Sequence, residues 1–109
     1  METINQQIAS DELSLLYFYT NWHLPSKQIL EEQLTLQNND FKIIPVNADQ
    51  QHELVSRFKI IGIPSFLVFQ NGEIVIRHSG MPEESTVLPW LKKEAENAKL
   101  KNEQSDNEL

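Results

Sequence analysis

The sequence contains no cysteine. That absence excludes disulfides, thiolate metal sites and every reaction that depends on a cysteine nucleophile. Positive charge is scarce as well: nine Lys+Arg stand against sixteen Asp+Glu, giving a formal net charge of −7 at pH 7. Nucleic-acid binders and binders of anionic membranes need clustered positive charge, so neither kind of partner is expected. Long apolar runs are also missing. The longest, Leu15–Tyr19, is far short of the ~20 residues of a membrane span. The opening METINQQIASDEL has neither the basic nor the apolar region of a secretory signal, so a soluble cytoplasmic protein is expected. His23, His52 and His78 lack the spacing of metal ligands and read as single surface histidines, with no metal and no cofactor.

What is present is an ordinary globular composition, 39% hydrophobic and 23% charged over 109 residues, which suits one domain. Ile4 and Ile8 recur at helical spacing and predict a short amphipathic helix over about Thr3–Ala9. Ser14–Tyr19 carries no charge and is dense in Leu, Phe and Tyr, as a strand buried on both faces would be. A helix opening near Pro25 presents Ile29, Leu30 and Leu34. Phe41–Asn47 reads as a second strand, and Pro45 inside it, which cannot donate to a ladder, places it at a sheet edge. A helix over Gln50–Phe58 follows. Ser65–Phe69 and Ile74–His78 then flank Asn71-Gly72, the strongest short-range hairpin signal. The last helix starts near Ser85 or Thr86, with Pro89 in its first turn. These elements make a domain over residues 1–98, and residues 99–109 form a polar tail expected to be frayed or disordered. The order α-β-α-β-α-β-β-α is mixed α/β.

The segment Tyr17–Lys27, YFYTNWHLPSK, resembles the active-site strand and helix start of the thioredoxin family, whose hallmark is W-C-G-P-C-K. The similarity extends to the strand end Val46-Asn47-Ala48-Asp49 and to Ile61-Gly62-Ile63-Pro64-Ser65, which resembles the segment holding the family's cis-proline. Asn71-Gly72-Glu73 and Gly80 likewise match the hairpin and the glycine bordering the substrate groove. The resemblance implies a three-layer α/β/α sandwich with a mixed sheet. The family's first strand is missing, which leaves four strands and puts Phe41–Asn47 at the edge, where a partner chain could pair.

The departures fall on the chemistry. His23 stands where the resemblance places the nucleophilic cysteine, and Ser26 where it places the resolving one. Thiol–disulfide exchange needs a thiolate attacking sulfur, so a redox-inactive protein is expected. Tyr17 replaces the buried acid that helps thioredoxins move protons, and Pro45 the lysine often paired with it. His23 and Ser26, i and i+3 at a helix start, can touch, but the sequence points to no orienting third group and no oxyanion hole. What the resemblance retains is the binding groove: Trp22, Leu24, Pro25, Ile63, Pro64, Gly80 and Met81. Two functions stand at this point. One is a module that docks a protein or an extended peptide in a partner-docking, chaperone-like or assembly role. The other is an enzyme or enzyme accessory in cell redox homeostasis, or new chemistry at His23 and Ser26. Leu24 folded back onto Trp22 as mere packing would weaken the first. The sequence does not decide the oligomeric state.

Overall fold

Leu15, Leu16, Tyr17 and Phe18 are all fully buried, and a strand covered on both faces requires a layer on each side of its sheet. The computed structural model, which describes residues 3–36, 38 and 40–107, has that arrangement. Strand β1 (Ser14–Tyr19) lies inside a four-stranded sheet of order β2-β1-β3-β4, with β2 at Lys42–Asn47, β3 at Ser65–Gln70 and β4 at Glu73–Ser79. β1 runs parallel to β2 and antiparallel to β3, and β3 is antiparallel to β4. Because side chains alternate along a strand, Leu15 and Tyr17 join one core, and Leu16 and Phe18 the other.

The first core is closed by α2 (Leu24–Ile29), a π-helical turn (Leu30–Leu34) and α4 (Val87–Asn107) through Ile29, Leu34, Val87 and Leu91. The second is closed by α1 (Ile4–Ile8) and α3 (His52–Arg57) through Ile8 and the adjacent Phe58. The sandwich is therefore α/β/α, as expected. Where the spacing predicts one continuous helix after Pro25, the Thr35 amide instead donates to the Leu30 carbonyl at 3.1 Å, the i→i−5 bond of a π turn.

Local signals account for the ends of the elements. Thr3 and Gln6 form a reciprocal capping box on α1. Asn71 and Gly72 both have positive φ, 54° and 81°, the geometry that lets a two-residue loop follow strand twist. The first amide of α4, Val87 N–H, donates to Gln33 Oε1 at 2.7 Å. The helix thus starts at Val87, just after the expected Ser85 or Thr86, and a side chain 54 residues away accepts from its first amide. α4 continues to Asn107, past the point near Lys99 where fraying is expected. Lys, Leu, Glu and Gln are good helix formers, and propagating a formed helix is easy.

The open edge at β2 has a definite register. Lys42 N–H donates to Leu13 and Ala48 N–H to Tyr19, both on the β1 side. By the period of two, Ile43, Pro45 and Asn47 turn their backbones outward. Pro45 therefore removes the middle donor of the free edge, and the Asn47 carbonyl already accepts from Gln50 and Gln51. The free edge is thus interrupted at its middle and at one end, a common feature of exposed edges. Among the described residues, no helix is long and apolar enough to cross a membrane.

Candidate functional site

The sheet gathers the motif residues at one end. β1 finishes at Tyr19 and leads into Trp22, its residue Phe18 lies opposite Ser65 at the start of β3, and Gly80 N–H donates to the Pro64 carbonyl at 2.7 Å. The loop before α2, the Pro64 loop and the Gly80 loop thus share one edge of the sheet. The Ile63–Pro64 peptide is cis.

The inner side of this loop is closed by hydrogen bonds. His23 is the N-cap of α2, and its Nδ1 accepts from the Ser26 amide at 3.2 Å. Ser26 is fully buried, and its hydroxyl donates back to the His23 carbonyl at 2.8 Å. Ser26 Oγ also accepts from Thr20 N–H at 3.5 Å, and the Ser26 carbonyl accepts from the Tyr17 hydroxyl at 2.8 Å. Tyr17 in turn lies beside Pro45 in the β1–β2 register. Of the four positions that depart from the thioredoxin pattern, three are therefore joined by hydrogen bonds, and the fourth, Pro45, is the register neighbour of Tyr17. Burial pushes the Tyr17 phenol above its ordinary value, so it stays a neutral donor. A serine nucleophile must present its oxygen to substrate and share its proton with a base. Here the oxygen is buried, its proton faces a carbonyl, and the histidine nitrogen nearest to it is occupied by an amide.

The outer side is apolar and wet. Trp22 is 69% exposed, Leu24 63%, Ile61 88% and Met81 50%. Trp22 and Leu24 thus each keep most of their side-chain surface in water. The Trp22 indole is oriented by Asp49, whose Oδ2 accepts from Nε1 at 2.9 Å. Pro25 is exposed, and Ile63 and Gly80 are half-buried. Pro64 differs from expectation. Its side chain is fully buried and its carbonyl is taken by Gly80, so it offers a ligand no surface of its own. Its neighbour Ile63 makes no backbone hydrogen bond among the described residues, which leaves one N–H and one C=O for an extended chain. Asp49 and Ile61 were not singled out from the sequence as site residues. Both lie inside segments that carry the resemblance, Asp49 at the strand end and Ile61 in the cis-proline segment, without having been assigned to the groove.

The histidines are scattered, and among the described residues no group of three or more His, Cys, Asp or Glu could hold a metal ion. His52 contacts the Asp49 carbonyl. His78 is not a surface residue as expected: it is half-buried, its ring 4.9 Å from that of Trp90 and 5.9 Å from that of Phe66. A cavity of about 270 Å³ between Leu13, Val75 and Ala95 lies near the start of β1, away from the motif.

A family model described as thioredoxin matches residues 1–93. The thioredoxin of Mycoplasmoides gallisepticum is 25% identical over 91 residues, which cover 82% of this chain and 91% of that protein. A putative protein disulfide-isomerase of Schizosaccharomyces pombe is 24% identical over 97 residues, covering 85% of this chain but 20% of that protein. Among solved structures, Plasmodium falciparum thioredoxin is similar with a TM-score of 0.66 and 25% identity, covering 85% of this chain and 88% of that one. A mutant thioredoxin from Halobacterium salinarum has a TM-score of 0.69 at 24% identity, covering 87% and 81%.

Proposed function

The chain belongs to the thioredoxin family, and from that premise we propose that it is a cytoplasmic, redox-inactive docking module that binds a protein or extended peptide through the outer side of the Trp22 loop. One observation carries this reading. The loops that bear the exposed Trp22, Leu24, Ile61 and Met81 share one end of the sheet with Ile63, whose backbone makes no hydrogen bond among the described residues, beside motif positions that hold no sulfur. Exposed large apolar side chains set together commonly mark interaction sites. Binding energy is then concentrated in the few that can be desolvated at once. Strand addition at Ile63 needs no cysteine, so docking survives where exchange chemistry has lost its nucleophile.

The test compares substitutions in one assay. The protein should reduce no insulin disulfides above a no-protein control. A partner captured from native lysate should bind Trp22→Ala or Leu24→Ala about tenfold or more weakly, as expected for a loss of roughly 1–3 kcal/mol. His23→Ala should cost that partner much less. The reverse pattern, turnover abolished by His23→Ala while Leu24→Ala only weakens binding, would establish an enzyme instead. A partner held equally by all three variants would exclude this surface.

A further inference from the structure

Beyond Met81, the apolar surface continues into a second, chemically different feature. An open depression of about 460 Å³ is walled by Met81, His78 and Trp90, with Glu83, Glu84 and Glu94 around it. A neighbouring hollow of about 240 Å³ shares Glu84, Trp90 and Glu94 and is lined by Lys93 as well. The three glutamates are exposed, and none is in an ion pair among the described residues. The depression has one lining cation, Arg77, and that guanidinium is drawn away, donating through Nη1 to the Phe58 carbonyl at 2.8 Å on the other face of the sheet. His78 lines the depression with its ring, while its Nε2 is shut off from solvent and has no hydrogen-bond partner.

Three unpaired carboxylates beside an indole and a thioether describe the environment of a long cationic side chain. Its aliphatic stem packs on Met81 and Trp90, and its charged head reaches the carboxylates and the aromatic ring. Metal binding does not fit, since no cluster of ligating groups is present among the described residues. We propose that this depression seats a lysine or arginine of the polypeptide lying along Trp22, Leu24, Ile63 and Met81. The inference rests on the docking reading and adds to it that the partner segment is basic. The net charge of −7 acts in the same direction by steering such a segment toward the surface.

The chain's two tryptophans separate the two claims, because Trp22 marks the apolar surface and Trp90 the depression. Two capped synthetic peptides with one apolar centre, flanked by arginine in the first and glutamine in the second, are titrated into the isotope-labelled protein while both indole N–H signals are followed. The arginine peptide should bind about three- to tenfold tighter at low salt and move both signals along one binding curve. Glu84→Gln/Glu94→Gln should abolish that advantage. Glu12→Gln/Glu73→Gln, an equal charge change at the far end of the sheet, should preserve it, and well-dispersed spectra of both variants establish folding. Equal affinities with the Trp90 signal unmoved would overturn the basic seat and leave the docking reading standing. Movement of Trp90 alone would uphold a cation seat and overturn docking along Trp22. Two silent signals would overturn both.

Discussion

The two sides of the loop from Trp22 to Ser26 treat their polar and apolar groups in opposite ways. Inside, Tyr17, Ser26 and His23 use their hydrogen-bonding atoms on one another, and Ser26 is fully buried. Outside, Trp22 and Leu24 leave most of their apolar surface in water, although the core offers cover a few residues away. The interior behaves as structure and the exterior as interface. The contrast teaches that losing the sulfur atoms did not leave a void. A satisfied polar network occupies the site, and an unsatisfied one would have been costly at this depth.

The contrast can be broken most severely at Tyr17. Its ring is fully buried in the core against Phe66, with centroids 5.0 Å apart. Tyr17→Ala should destabilise the fold by about 3–5 kcal/mol, read as a lower midpoint in urea. Trp22→Ala, a truncation of a still larger side chain, should cost less than about 0.5 kcal/mol because the residue is exposed. Comparable losses at the two sites would dissolve the distinction between interior and exterior.

Tyr17→Phe keeps the ring and deletes the hydroxyl that holds the Ser26 carbonyl. A cost of about 1–1.5 kcal/mol is expected, together with a changed pH profile. Burial raises this phenol above its ordinary value, so the unfolded chain releases the proton first. The folded state then binds more protons than the unfolded one, and stability falls as pH rises through ~10, while below that the contribution is fully present. Chemical denaturation between neutral and strongly alkaline pH should show a shallower decline for Tyr17→Phe than for the parent protein. Parallel profiles would show that Tyr17 ionises without penalty.

Among the residues of the hydrogen-bonded interior, the smallest effect belongs to His23. His23→Ala removes the side-chain acceptor that caps α2 and should cost about 0.5–1 kcal/mol. His23→Asp restores an acceptor and adds a negative charge at a helix N-terminus, so it should recover that loss. Thermal unfolding of the pair distinguishes a capping role, in which Asp rescues, from a packing role, in which it does not.

How far the sequence could be read depended on the range of the interaction. Ser14–Tyr19, the Asn71-Gly72 turn and Pro45 at an edge strand were all legible, because each depends on residues next to one another in the chain. The π turn at Leu30–Leu34 was not, because apolar spacing there fits an α-helix equally well. Of the site residues, Trp22, Leu24 and Met81 were readable from the resemblance and stand exposed. Pro64 was placed correctly in the chain but not in its surroundings, since burial of its ring depends on strands that converge from elsewhere.

By itself, the sequence determined that no sulfur nucleophile exists, that a strand at Ser14–Tyr19 would be covered on both faces, and that the edge at Pro45 would lack a donor. These follow from composition, local apolar pattern and the covalent structure of proline, none of which needs a partner. Only the tertiary structure decided that Tyr17 would bond to Ser26, that Gln33 would cap a helix 54 residues away, that Ile63 rather than Pro64 would keep a free backbone, and that His78 would lie against Trp90. A hydrogen bond or ring contact forms only where packing brings two distant segments within about 3 Å for the bond or 5 Å for the rings. That meeting is set by the whole sheet and its two helical layers, not by any stretch of chain read alone.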